Sequence, residues 1–284
     1  MATPREILAA LLPHLKVAAG YANTIQTSIA AHPDKFDSEN FFATALTDAD
    51  LSIQTFVEVT LLSLFPNVRF YGEEFEKTYN TKYFRSIELG DQDDYLITLD
   101  PIDGTRFYMD GHPNYQIILT ILNADGYEAV IALTPARNTL YYTLWGEGTY
   151  HGTLSDDLDS CQKLTVTNPK NQVLLGWTMK HLTDAVTAQG FAPISVQANY
   201  SKTVTIPNVN GLMTGDLTGA ILAQGKFIDG GALSWMAQEM GYILTTYDGK
   251  PMPAPKECSA EYQWPGLVVA SSPEIHTQLL SLLQ

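Results

Sequence analysis

Positive charge is scarce in this sequence. Lys and Arg total 16 against 31 Asp and Glu, for a net charge of −15. A surface that tracks a phosphate backbone needs the opposite balance, so a nucleic-acid polymer is not an expected partner. Cysteine is scarcer still. Cys161 and Cys258 are the only two, and neither has a near Cys or His at zinc-ligand spacing. Two cysteines do not make a disulfide scaffold, and a reducing cytoplasm is the expected compartment. Long apolar runs are missing too. The N-terminal stretch "MATPREILAALLPHLKVAAGYANTI" carries Pro13, His14 and Lys16. No signal-peptide core and no apolar run of about 18 residues occurs, so neither secretion nor membrane insertion is expected. Internal repeats, low-complexity tracts and a Gly/Ser linker are also absent.

What is present is the composition of an ordered globular chain. Its 284 residues are 45% hydrophobic and 17% charged, which suits two modest domains or one large one with a real core. The acidic excess serves solubility or, in part, a cation site, and composition alone leaves both open.

Thr3 and Pro4 read as an N-cap and first-turn proline of a long helix, "REILAALLPHLKVAAGYANTIQTSI", which Pro13 is placed to kink. "DADLSIQTFVEVTLLSLF" has Leu51, Phe56, Val59, Leu62 and Phe65 near helical spacing, and Pro66 stops it. Residues 33–40 read as a polar turn and 76–94 as a loop. "VRFYG", "YLITLD", "YQIILTILN", "YEAVIALTP" and "TLYYTLWG" read as strands. Turns at 123–126 and 135–138 make hairpins of the last three. After about residue 165 strands and helices alternate. "NQVLLGWT", "APISVQA", "YILTTYDG" and "GLVVASS" are expected strands. "KHLTDAVTAQG", "GDLTGAILAQG", "GGALSWMAQEMG" and "PEIHTQLLSLLQ" are expected helices. The fold class is therefore α/β (α+β), with an N-terminal half over 1–155 and a C-terminal half over 156–284 that completes a cleft. "LYYTLW" and Trp235 read as packing, and His112 and His151 as surface histidines.

Four places set carboxylates beside turn formers: "LTDAD" (Asp48, Asp50), "YGEEF" (Glu73, Glu74), "DPIDGT" (Asp100, Asp103) and "KFIDGG" (Asp229). Carboxylates crowded at strand ends repel one another unless hard cations bind among them, and Mg²⁺ takes oxygen ligands together with waters and substrate phosphate. Each place also has a plain reading. Asp48 and Asp50 fit a helix N-cap, Glu73 and Glu74 an exposed turn, and Asp229 a turn before a glycine pair. In "DPIDGT", Pro101 fixes the backbone between two aspartates, and Gly104-Thr105 is placed to open a helix N-terminus toward an anion.

"GEE", then "DPIDGT", then an aspartate before a small-residue helix resembles the inositol monophosphatase family, whose relatives include fructose-1,6-bisphosphatases and lithium-sensitive nucleotide 3'-phosphatases. "LTDAD" before Phe65-Pro66, the turn Trp145-Gly146-Glu147-Gly148, and the helix end "SWMAQEMGYIL" carry the likeness over most of the chain. Asp229 falls on the aspartate of the family's Trp-Asp motif, with Ile228 in place of the tryptophan. The resemblance implies a layered αβαβα sandwich and Mg²⁺-dependent phosphomonoester hydrolysis by metal-activated water, with two or three ions and inhibition by Li⁺. It implies that Asp100 bridges two metals, that Glu73 and the Ile102 carbonyl hold the first, and that Asp103 and Asp229 hold the second. Thr105, paired with Asp50, orients or deprotonates the water, and Asp50 helps hold a third metal. Gly104, Thr105 and Arg106 present N–H groups to the substrate phosphate. Arg106-Phe107-Tyr108 depart from the family's usual Thr-Asn-Phe, "MTGDL" is the nearest match to its sugar-binding turn, and the segment Gly225–Asp229 is shorter than the family's and lacks its substrate-binding glutamate. The expected substrate is accordingly a small sugar or polyol phosphate ester. A 3'-nucleotide phosphatase and a non-catalytic binding protein on the same scaffold are the alternatives. A homodimer is expected.

Overall fold

The structure, a computed structural model, describes residues 2–29, 47–74, 94–258 and 263–283. The expected turn at 33–40 and residues 76–93 of the expected loop lie outside the described residues. The chain divides into two compact units, Met1–Trp145 with Tyr150–Gln162, and Gly146–Thr149 with Lys163–Gln284. The division set at residue 155 on the sequence thus differs in detail: the main crossing follows Gln162, and the turn 146–149 goes with the second unit.

In the first unit, Thr3 caps helix α1 (Pro4–Ile25) in a capping box with Glu6, whose carboxylate accepts the Thr3 N–H at 2.8 Å. Leu8, Leu11, Leu12, Leu15, Ala18, Ala19 and Ala22 recur every three or four residues and are buried. The helix runs on through exposed Pro13, so packing of that apolar face outweighs the lost backbone hydrogen bond. Helix α2 spans Asp48–Leu64 and ends where Phe65-Pro66 break it. Its inner face is not the stripe expected from the sequence. Phe56, Val59 and Leu62 are 38%, 54% and 38% exposed, whereas Ala49, Ile53, Val57 and Leu61 are buried together with Asp50, Gln54 and Glu58. Three polar residues at a spacing of four made the buried side look like the wet one.

Strand β1 (Arg69–Gly72) pairs parallel with β2 (Leu96–Asp103), and β3 (Gln116–Leu122), β4 (Tyr127–Thr134) and β5 (Thr139–Leu144) follow antiparallel in chain order. Two further strands, β6 (Gly148–Thr153) and β7 (Gln162–Lys163), complete a seven-stranded sheet. Asn123 closes the β3–β4 turn, its Oδ1 accepting the N–H of Asp125 at 2.8 Å and of Gly126 at 3.1 Å. Asn138 closes the β4–β5 turn at φ 52°. One sheet face, with Ile97, Leu99, Ile117, Leu119, Ile121 and Ile131, forms a core with α1 and α2. Tyr141 and Tyr142 are packing residues, and Tyr142 stacks on Tyr150 at 5.0 Å.

In the second unit a five-stranded sheet runs in the order β12 (Ile243–Thr246), β14 (Leu267–Ala270), β10 (Gly219–Leu222), β8 (Gln172–Leu175), β9 (Ala192–Ser195). Two expectations are corrected here. "GDLTGAILAQG" holds the central strand β10, not a helix, paired with β8 on one side and β14 on the other. Only four residues of it pair, too few for helical and strand periods to differ, and Gly219 lies where a Cβ would meet Leu279 at 2.8 Å. The end of "APISVQA" turns helical over Val196–Asn199, because the Ser195 hydroxyl caps the Ala198 N–H at 3.3 Å. Helices α4 (Thr183–Ala188), α5 (Gly230–Glu239) and α6 (Pro273–Ser281) complete the unit, with Trp235 in its core. A two-stranded ribbon, β11 (Gly225–Lys226) with β13 (Gln263–Trp264), was not anticipated. No helix among the described residues is long and apolar enough to cross a membrane.

His276 of α6 is 9% exposed and lies 2.8 Å from the Thr245 hydroxyl of β12. Burial holds its pKa below the ordinary 6.5. The unfolded chain therefore takes up the proton first, so this group favours folding above that value and the benefit is lost as pH falls through it. His276→Gln should flatten the decline of Tm between about pH 7 and 5 relative to wild type, as read by thermal melts across that range. Parallel declines in the two proteins would refute the linkage.

Candidate functional site

The first-unit site is built where β1 and β2 end side by side. Gly72 pairs with Leu99, and the Glu73 N–H continues the pairing to the Leu99 carbonyl at 2.9 Å. Glu73 and Asp100 consequently leave neighbouring strands at one level. Gly72 is required for a steric reason: a Cβ there would lie 2.2 Å from the Gln54 side chain. Gln54, fully buried on α2, accepts the Glu74 N–H at 2.8 Å and donates to Glu58 at 3.1 Å. Glu74 is itself buried, which corrects the exposed-turn alternative for that residue. Gln54 was not picked out from the sequence. Its signal was the glycine that opens "GEE", together with a polar residue on the inward spacing of α2.

At the end of β2, Asp100 pairs with Ile118 and Asp103 with Gln116, so β2 carries one extra residue there. Such a bulge re-aims side chains. Pro101 gives up no ladder donor, and the Ile102 N–H bonds to Asp100 Oδ1 at 3.1 Å. Asp103 Oδ2 accepts the Gln116 amide at 2.9 Å. Gly104 then turns at φ 84° and opens helix α3 (Thr105–Met109). The Thr105 hydroxyl lies 2.9 Å from the Ile102 carbonyl and 3.1 Å from Asp50 Oδ1. It has one proton for these two acceptors.

Asp50 is fully buried at the third position of α2. Thr47 is the N-cap, and Asp50 Oδ2 accepts both the Thr47 N–H at 2.8 Å and the Thr47 hydroxyl. The two readings of "LTDAD" therefore merge in one residue: Asp50 completes a capping box with one oxygen and meets Thr105 with the other. Asp48 is exposed.

After Thr105 the chain is anchored to α1. The Tyr108 hydroxyl donates to the Ala22 carbonyl at 2.8 Å, and Gln26 donates to the carbonyls of Tyr108 at 3.2 Å and His112 at 2.9 Å. Burial, then Tyr115 and Asp50, raise the Tyr108 pKa well above that of a free phenol. Arg106 is half-buried. His112 corrects the sequence reading. It is 5% exposed, edge-on to Phe107 at 6.1 Å, because the turn after α3 folds inward.

In the second unit, Asp229 directly precedes α5, and its carboxylate makes no cap hydrogen bond. The neighbouring glycines make room for Trp264. A Cβ on Gly231 would lie 2.1 Å from the indole, and one on Gly225 would meet the indole at 2.6 Å and Asp229 Oδ1 at 3.1 Å. The indole at this corner comes from β13. The far end of α5 takes up the Gly146 turn: Glu239 accepts the Gly146 N–H at 2.9 Å, and the Met236 carbonyl accepts the Thr149 hydroxyl at 2.6 Å. In "MTGDL", Asp216 is tied to Lys170 at 2.5 Å and to the Thr214 hydroxyl at 2.8 Å.

Among the described residues, no group of three or more His, Cys, Asp or Glu is drawn together as a metal cluster. The donors at the two strand ends are nonetheless all oxygens: Glu73, Asp100, Asp103 and the Ile102 carbonyl. Asp100 is only 4% exposed. An all-oxygen, partly desolvated anionic set fits a hard divalent cation such as Mg²⁺.

A model described as "Inositol monophosphatase family" matches residues 11–284. The 3'(2'),5'-bisphosphate nucleotidase CysQ of Haemophilus influenzae is 29% identical over 127 residues, 43% of this chain and 41% of that protein. The chain thus aligns with less than half the length of that curated relative. Among solved structures, a lithium-soaked staphylococcal inositol monophosphatase-1 is similar with TM-score 0.71 at 16% identity, over 99% of this chain and 96% of that one. An IMPase/NADP phosphatase complexed with Mg²⁺ and phosphate is similar with TM-score 0.68 at 17% identity, over 96% and 92%. At these identities the structures establish the mixed α/β fold alone. The match of the family to nearly the whole sequence goes further, and the chain belongs to the inositol monophosphatase family.

Proposed function

We propose that this chain is a Mg²⁺-dependent phosphomonoesterase that hydrolyses a small phosphorylated metabolite, a sugar or polyol phosphate, with water as nucleophile. The observation that carries this reading is the Thr105 hydroxyl, placed between buried Asp50 and the Ile102 carbonyl beside the Asp100–Asp103 bulge. A hydroxyl backed by a buried carboxylate can take a proton from water while passing its own to Asp50 Oδ1.

In this reading Glu73, Asp100 and the Ile102 carbonyl would hold one cation, Asp103 would be a further ligand, and Asp50 would contribute to a third site. Bound Mg²⁺ supplies the charge that acidifies an attacking water and stabilises the departing ester oxygen. The N–H groups of Gly104, Thr105 and Arg106 at the start of α3 receive the phosphate oxygens. Gln54 and Gly72 fix the backbone around Glu73, and the capping box fixes Asp50. A cytoplasmic homodimer belongs to the same proposal.

A second reading is favoured by the CysQ likeness: the substrate is a nucleotide carrying a 3'-phosphate. A screen of sugar, polyol and nucleotide phosphates with Mg²⁺ separates the two readings by which class is turned over. Metal binding without turnover of any of them would leave only a non-catalytic scaffold.

Asp100→Asn should lower Mg²⁺-dependent phosphate release from p-nitrophenyl phosphate by about a hundredfold or more, measured by steady-state kinetics on folded protein. Wild-type rates in that variant would sink the ligand assignment. Lithium should inhibit, with an inhibition constant that rises as Mg²⁺ is raised; complete insensitivity would count against a shared cation site.

A further inference from the structure

Gln116 stands apart from every residue singled out in the sequence motifs. It opens β3 directly opposite Asp103, at the one place where β2 carries an extra residue. Its side chain is fully buried, and Nε2 donates to Asp103 Oδ2 at 2.9 Å. A carboxylate only accepts, so this contact fixes which way round the amide sits. Oε1 is then turned away from Asp103, buried, and without a hydrogen-bond partner among the described residues.

A buried amide oxygen left unmatched destabilises the fold, and a leucine or methionine would fill the same space without that cost. Neighbouring strand residues show the alternative: Ile117, Ile118 and Leu119 are all apolar and fully buried. An amide here is explained by two partners. One is Asp103. The other is a donor or cation that the described residues do not themselves provide. Hydrated divalent cations present strongly polarised water protons to such acceptors, and outer partners of this kind orient ligands and tune affinity.

We propose that Gln116 is a positioning residue of the cation site. Its Nε2 would hold the Asp103 carboxylate in its ligating orientation, and its Oε1 would accept from water carried in by a cation that Asp103 helps to bind. This rests on the proposed ligand role of Asp103. The bulge serves the same end, because without the extra residue the carboxylate would lose its place opposite Gln116.

The test is Mn²⁺ titration calorimetry on full-length wild type, Gln116→Met, Gln116→Leu and Asp103→Asn, with thermal melts of each. The Mg²⁺ concentration for half-maximal activity is measured beside it. Gln116→Met should weaken Mn²⁺ binding by roughly tenfold and raise the Mg²⁺ requirement by a similar factor, with the substrate KM at saturating Mg²⁺ nearly unchanged. Gln116→Leu, the second apolar replacement, should behave alike if the methionine variant does not fold. Wild-type Mn²⁺ affinity in a folded Gln116 variant, with Asp103→Asn impaired, would overturn the role of Gln116 while leaving Asp103 a ligand. Wild-type affinity in Asp103→Asn would overturn the ligand assignment, and this inference with it.

Discussion

The arrangement depends on one carboxylate, that of Asp50. One of its oxygens closes the first turn of α2 through Thr47, and the other receives the hydroxyl of Thr105. A helix start and the turn beyond a buried strand are thereby tied to one side chain that has no access to solvent. Removing such a group costs more than the hydrogen bonds it makes, because the partners left behind are buried as well. The same carboxylate contributes to raising the Tyr108 pKa, so the electrostatic reach of Asp50 extends along α3.

Around that group the fold spends its irregularities in one place. The bulge between Asp100 and Asp103, the left-handed Gly104, and Gly72 beneath Gln54 fall at the ends of two adjacent strands. From Leu96 to Asp100 the pairing of β2 with β3 is unbroken, and both strands are buried. Rigid strands bring the chain to the site, and a few special residues then turn its side chains.

Much of this was legible in the sequence. Strand β2 could be read because an uninterrupted apolar run ends abruptly on two aspartates, and α1 because Thr3 and Pro4 spell out a helix start. The pairing of Thr105 with Asp50 followed from the family resemblance, not from spacing. Three things stayed hidden for physical reasons. The inner face of α2 carries Asp50, Gln54 and Glu58, so hydrophobic periodicity pointed to the wrong side. Strand β10 is too short for its period to declare itself. Gln116 and Trp264 act through partners on other elements, and nothing in their own neighbourhoods marks them.

The tie between Thr105 and Asp50 joins residues 55 apart, whereas β3, β4 and β5 are joined by short turns. Closing a long loop costs entropy before any contact repays it, so local hairpins form ahead of distant pairings. Loop closure therefore favours early formation of the β3 to β5 meander and later docking of α2 onto the end of β2. Asp50, Thr105 and the two strand ends come together in that final step. On that ordering the meander of the sheet precedes the site it supports.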